Sequence, residues 1–138
     1  MTAPRLTRID HIGVVVADLD AHVAQLEALG LGLRRDSSDD SGRVRHYLSG
    51  DASVELIEVL DEEARAERLP AGAQARIEHI AFEVESIEDV RAHLKSRGVE
   101  VSWPPYPSDS GQMIWTTPET SGGVQYQFFV RRPEEENA

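Results

Sequence analysis

Residues 6–16 alternate in the manner of a strand: Ile9, His11, Gly13 and Val15 fall on one face, Asp10, Ile12, Val14 and Val16 on the other. The period then lengthens. Asp18 is placed to N-cap a helix in which Leu19, Val23, Leu26 and Leu29 recur at helical spacing, and Gly30 and Gly32 supply its stop. Residues 33–37 predict a short strand and Asp39–Gly42 a turn. Val44–Ser49 and Ser53–Leu60 predict two further strands joined by a hairpin at Gly50-Asp51. Residues 6–60 thus read as one βαβββ unit.

The stretch 61–75 is rich in Ala, Glu and Arg until Pro70 and Gly72 break it, which predicts a short helix and a linker. A second unit follows over 76–131. A strand covers 76–84, Ser86 caps a helix with Ile87, Val90 and Leu94 inward, and Gly98 ends it. Val99–Trp103 predict a strand, Pro104–Gly111 with three prolines a loop, and Met113–Thr116 and Val124–Val130 the closing strands. The two units are related. Arg8-Ile9-Asp10-His11-Ile12 returns 68 residues later as Arg76-Ile77-Glu78-His79-Ile80, and Val16, Leu19, Leu26 and Gly30 are echoed by Val84, Ile87, Leu94 and Gly98. A repeat of that length in 138 residues means two copies of one supersecondary unit, not a solenoid. The expected architecture is α+β: one domain over 1–138, with two tandem βαβββ modules, a linker over 61–75 and an acidic tail over 132–138.

Composition narrows the partners. The net charge of −11 sets a field that disfavours nucleic acid and anionic membranes. It leaves room for an anionic small substrate met by local arginines. The absence of cysteine rules out disulfides, thiolate metal sites and Cys nucleophiles. No apolar run approaches membrane-spanning length and no leader pattern opens the chain, so a cytoplasmic protein is expected. Nor is there a Gly-rich phosphate loop after a strand or a Gly-x-Ser-x-Gly elbow.

The repeat gives the histidines their interest. A lone His among apolar strand residues usually packs in a core or pocket, but His11 and His79 stand at equivalent places in both copies. Burying such a ring costs free energy unless its nitrogens are paired. Glu55 lies between hydrophobic neighbours in the strand 53–60, and a buried carboxylate needs a cation or strong donors. The matching strand of the second unit carries Gln127 between aromatics, 72 residues after Glu55. His11, Glu55, His79 and Gln127 therefore form a candidate nitrogen and oxygen donor set. It suits one divalent ion among Co, Zn, Ni, Mn and Fe, with room for water or a substrate oxygen.

At these residues the chain resembles the vicinal oxygen chelate superfamily, which includes glyoxalase I, methylmalonyl-CoA epimerase, extradiol dioxygenases and drug-binding resistance proteins. The resemblance spans about residues 6–131 and is carried by the segments around His11, Glu55 and His79, with Thr117–Val124 similar to the epimerase branch. It implies that the modules form a curled mixed sheet around a central metal and ligand cavity, with the four donors as ligands. It also implies a small-molecule substrate, with an acyl-CoA as a candidate, and a homodimer. Where the epimerase branch usually ends with Glu, this chain has Gln127, which keeps a ligand role and removes a base role.

The favoured chemistry is metal-assisted proton abstraction beside a carbonyl, as in an isomerase or epimerase. Glu55 is the first catalytic candidate and Asp40, in the acidic turn, the second. His46, Arg45 and Trp115 are candidates for holding the substrate. A glyoxalase-type lyase and an Fe(II) oxygenase are alternatives, the latter because two His and one carboxylate are its ligand set. A drug-binding protein without chemistry, stacking a flat ligand on its aromatics, is the third.

Overall fold

The computed structural model describes residues 3–108 and 111–131; the acidic tail lies outside them. The fold is α+β, with two βαβββ-like modules and mixed strand pairing. The chain divides into two compact units at His79/Ile80, not in the 61–75 segment: one is Asp10–His79, the other runs from Ile80 onward together with the residues up to Ile9.

The Asp10–His79 unit contains most of β1 (Leu6–Val16), α1 (Leu19–Ala28), β2 (Gly32–Ser38), β3 (Gly42–Ser49), β4 (Ala52–Val59), α2 (Glu62–Arg68) and the start of β5 (Ala75–Val84). Its strand order is β2-β3-β4-β1; β2/β3 and β3/β4 are antiparallel and β4/β1 parallel. Strand alternation gives this sheet two different faces. Val14, Val16, Tyr47, Val54 and Leu56 meet Leu19, Val23 and Leu26 of α1 in one apolar cluster. On the other face Val15, Ile57 and Val59 pack with Val44, and with Ala64 and Leu69 of the α2 segment. Asp18 caps α1 through Ala21 N, and Asp61 caps α2 through Ala64 N.

Leu29 does not join the buried stripe. The helix ends at Ala28, Leu29 becomes its C-cap, and the side chain is 75% exposed. Gly30 then takes a positive φ of 88°, the left-handed conformation that closes the turn.

The second unit holds α3 (Ile87–Ser96), β6 (Tyr106–Ser108), β7 (Gly111–Trp115), a 3-10 turn at Pro118–Thr120 and β8 (Gln125–Arg131), with the strand order β5-β8-β7-β6. Val84, Ile87, Val90, Ile114 and Phe128 form its core. Ser86 caps α3 as expected, its hydroxyl accepting from Asp89 N. The strand expected at Val99–Trp103 is reduced to one bridge, Val101 with Thr116, and a strand appears inside the expected loop at Tyr106–Ser108. Pro104 and Pro105 lack the N–H groups a continued ladder needs. Pro107 is tolerated because β6 is the edge strand.

Candidate metal centre

Three neighbouring positions of the first unit's sheet set the site. His46 on β3 is in register with Glu55 on β4, and Glu55 with Gly13 on β1. All three lie on the face away from α1. His11, two residues before Gly13, projects from the same face. Gly13 carries no side chain, and the His79 ring fills the vacant place: a Cβ there would meet its Nδ1 at 2.6 Å, with Cε1 and Nε2 closer still.

The result is a convergence of donors. His79 Nε2 lies 3.3 Å from Glu55 Oε1 and 3.3 Å from His11 Nε2, and His11 Nε2 lies 4.0 Å from Glu55 Oε1. Donors about 2.1 Å from a shared ion stand about 3.0 Å apart at a right angle and about 3.4 Å apart at the tetrahedral angle. The two shorter separations match this spacing and the third is wider.

The preceding acids orient both rings. Asp10 Oδ2 is 2.8 Å from His11 Nδ1, and Glu78 Oε1 is 3.0 Å from His79 Nδ1. When both rings are neutral and each donates its Nδ1–H to its carboxylate, both Nε2 lone pairs face the cluster. Two lone pairs and a carboxylate oxygen then converge, an arrangement that calls for positive charge between them. A divalent cation meets that need, so the residues fit a metal. The doubled acid-His dipeptide of the sequence is therefore a candidate ligand with its orienting partner, written twice.

The titration behaviour follows from the same contacts. Burial works to raise the Glu55 carboxyl, but hydrogen bonds from His46 and His79 and the nearby His11 and His79 charges hold it well below the usual range. Burial likewise opposes ionisation of Glu78, yet Arg68 and His79 bring it down to about 2. Burial would lower His79, and its hydrogen bonds to Glu55 and Glu78 outweigh this and raise it.

The remaining sequence candidates are placed as follows. His46 Nε2 sits 3.2 Å from Glu55 Oε2, the carboxylate oxygen turned away from the donor cluster. Arg45, its strand neighbour, points to the opposite face, 3.5 Å from Asp36 and beside Tyr47. Asp40 is exposed in the β2–β3 turn, where Asp39 Oδ1, not Asp40, accepts from Ser41 N and Gly42 N. Trp115 on β7 is half-buried with its ring 6.1 Å from that of Tyr106. Gln127 on β8 belongs to the second unit, where its Nε2 donates to Gln125 Oε1 at 3.2 Å.

Sequence reading missed the support from α2. Arg68 Nε and Nη2 donate to Glu78 Oε2 and Oε1, each at 2.8 Å. The available signal was Glu78 itself, an acid beside a buried His in need of a cation.

Known proteins resemble this chain in sequence and in fold. A curated ethylmalonyl-CoA/methylmalonyl-CoA epimerase of Cereibacter sphaeroides is 34% identical over 101 residues, which cover 68% of this chain and 73% of that protein. The crystal structure of methylmalonyl-CoA epimerase from Mycobacterium tuberculosis superposes with a TM-score of 0.83 at 22% identity, over 100% of this chain and 97% of that one. A hypothetical protein from Bacillus halodurans C-125 gives a TM-score of 0.81 at 27% identity, over 99% and 100%. The family profile of the Glyoxalase/Bleomycin resistance protein/Dioxygenase superfamily matches residues 10–115, a span that includes His11, Glu55 and His79, and the chain belongs to that superfamily.

Proposed function

We propose that this protein is a divalent-metal-dependent epimerase that moves a proton next to a carbonyl, with an acyl-CoA of the methylmalonyl-CoA type as its substrate. The observation that carries this reading is the convergence of His11 Nε2, Glu55 Oε1 and His79 Nε2 on one point. The substrate class follows the activity of the Cereibacter sphaeroides relative. The repeat nominates Gln127 as a fourth donor, because in the sequence it is the polar position between aromatics that corresponds to Glu55 in the first copy.

A bound cation supplies one thing, stabilisation of the negative charge that develops on the substrate's carbonyl oxygen. The rest falls to the chain. His11 and His79 hold their Nε2 atoms in place through Asp10 and Glu78. Glu55 keeps its second oxygen, Oε2, in contact with His46 Nε2, so the pair can accept a proton from the substrate carbon and return it. Inversion also needs a proton carrier on the opposite side of that carbon, and Asp40 is the proposed residue. His46 and Trp115 are proposed to hold the acyl-CoA; Arg45, directed to the opposite face beside Asp36, is not among them. Among the described residues no helix is long and apolar enough to cross a membrane, and the reading carries with it a cytoplasmic homodimer.

Two experiments test it. Protein purified without added metal is expected to contain about one metal ion per chain, and His11→Ala and His79→Ala to lose it. Full occupancy in both variants would sink the metal centre. Metal-replete protein should then exchange solvent deuterium into methylmalonyl-CoA; no exchange argues against the substrate.

One alternative has an observation of its own. Two histidines and one carboxylate are the ligands of non-haem Fe(II) oxygenases. Oxygen uptake by the iron-loaded protein on a catechol would favour that reaction over epimerisation.

A further inference from the structure

We propose that Arg68, the last residue of α2, is a positioning residue for the metal centre: it locks the Glu78 carboxylate in the orientation that aims His79 Nε2 at His11 and Glu55. The inference rests on the metal-site reading above and extends it outward by one residue.

Glu78 is buried, 8% exposed, and both its oxygens are engaged. Oε1 takes His79 Nδ1 at 3.0 Å and Arg68 Nη2 at 2.8 Å, while Oε2 takes Arg68 Nε at 2.8 Å. Two parallel N–H donors from a planar guanidinium fix the plane of a carboxylate as well as its position. With that plane fixed, Oε1 has one direction in which to accept from Nδ1. The His79 ring, pressed against Gly13, is then held at both its edge and its face.

Arg68 is itself anchored. Leu69, the next residue, is 6% exposed and packs with Val15, Ile57 and Val59. Arg76 Nη1 donates to the Arg68 carbonyl at 3.1 Å, and Leu69 N to the Arg65 carbonyl at 2.8 Å. The segment between the sequence repeats is therefore a brace for one ligand, not a passive spacer. His11 takes its own Nδ1 contact from the adjacent Asp10. An ion pair that served only the fold would be expected to affect stability and leave metal affinity alone.

The test uses the full chain, stripped with a chelator and titrated with Co(II) by calorimetry, with visible absorption as a second readout of the coordination. Arg68→Gln and Glu78→Gln are each expected to weaken Co(II) binding by about 10- to 100-fold, the range for groups that orient ligands. The double variant should lose no more than the weaker single one, because the two residues act as a unit. Arg68→Lys should recover part of the loss, keeping the charge but not the paired donors. Glu67→Gln on the same helix should bind as the unaltered protein does. Co(II) affinity within twofold of the unaltered protein in Arg68→Gln overturns the proposal while leaving the metal centre standing. Should Arg68→Gln fail to fold, unchanged affinity in Glu78→Gln overturns it equally. Additive losses in the double variant would do the same. No Co(II) binding by the unaltered protein removes the metal centre and this inference with it.

Discussion

The imidazole of His79 occupies the space that a side chain at Gly13 would need. That contact joins the two copies of the repeated phrase, since Gly13 follows the first histidine by two residues and His79 is the second. Gly13 is next to Glu55 in the β1/β4 register, so a ring lying on Gly13 brings its Nε2 within 3.3 Å of Glu55 Oε1. At the repeat-equivalent position the chain has Ala81, so the glycine belongs to one copy only.

Gly13→Ala is the smallest change that tests this packing. The added methyl collides with ring atoms, and His79 has to leave the donor cluster. Metal affinity is expected to fall at least about tenfold, as when a ligand's orientation is lost. Overpacking should cost stability on the order of 1–3 kcal/mol. Metal analysis of the purified variant checks the first expectation and denaturant unfolding the second. Full metal occupancy would show that the ring has another place to go.

Glu55→Gln removes a charge while keeping an oxygen donor and nearly the same shape. Glu55 Oε1 and Oε2 stand 3.3 Å and 3.2 Å from His79 and His46. The variant should bind Co(II) more weakly by about tenfold or more, and its deuterium exchange into methylmalonyl-CoA should fall by about 10²–10⁴, the usual share of a proton-transferring side chain. Unchanged exchange at saturating metal would take the proton away from Glu55 and leave it a ligand alone.

Much of this was legible in the sequence because the repeat doubled the evidence. The alternation around His11 assigned the correct face, and Asp18 and Ser86 capped the helices they were expected to cap. The helical spacing of Leu29 misled, since periodicity does not say where a helix stops and Gly30 turns the chain first. The three prolines after Trp103 suggested only a loop, yet Tyr106–Ser108 pairs with β7 on the edge that Pro107 can occupy. Arg68 was invisible for a different reason: its bond to Glu78 spans ten positions with no shared period, so only the folded chain brings them together.

The opposite face of the same sheet offers a control. Glu58 Oε2 accepts from Leu19 N at 2.7 Å, at the start of α1, and Leu19 is fully buried. Glu58→Ala strands that N–H and should cost about 1–3 kcal/mol in denaturant unfolding. Glu58 points away from Glu55 and its neighbours, so Co(II) affinity should not change. A variant that lost both would show that stability and the site are not separable on this sheet.

The pH dependence of metal binding can be assigned a direction from His79. In the metal-free protein its pKa is raised above the ordinary 6.5 by Glu55 and Glu78, against the effect of burial. The stability this contributes to the metal-free fold is fully present below 6.5 and is lost as pH rises through the raised value. A metal takes the neutral ring, so binding must displace that proton. Co(II) affinity should therefore weaken as pH falls through the raised value, beginning above pH 6.5. Glu78 acts at the other end of the scale. Its pKa is lowered from 4.5 to about 2, so its contribution is present above 4.5 and disappears as pH falls toward 2. Calorimetry between pH 6 and 8, in buffers of different ionisation enthalpy, should detect up to one proton released per Co(II) bound, most at the acid end. An affinity flat across that range, with no proton released, would mean that His79 is already neutral before the metal arrives.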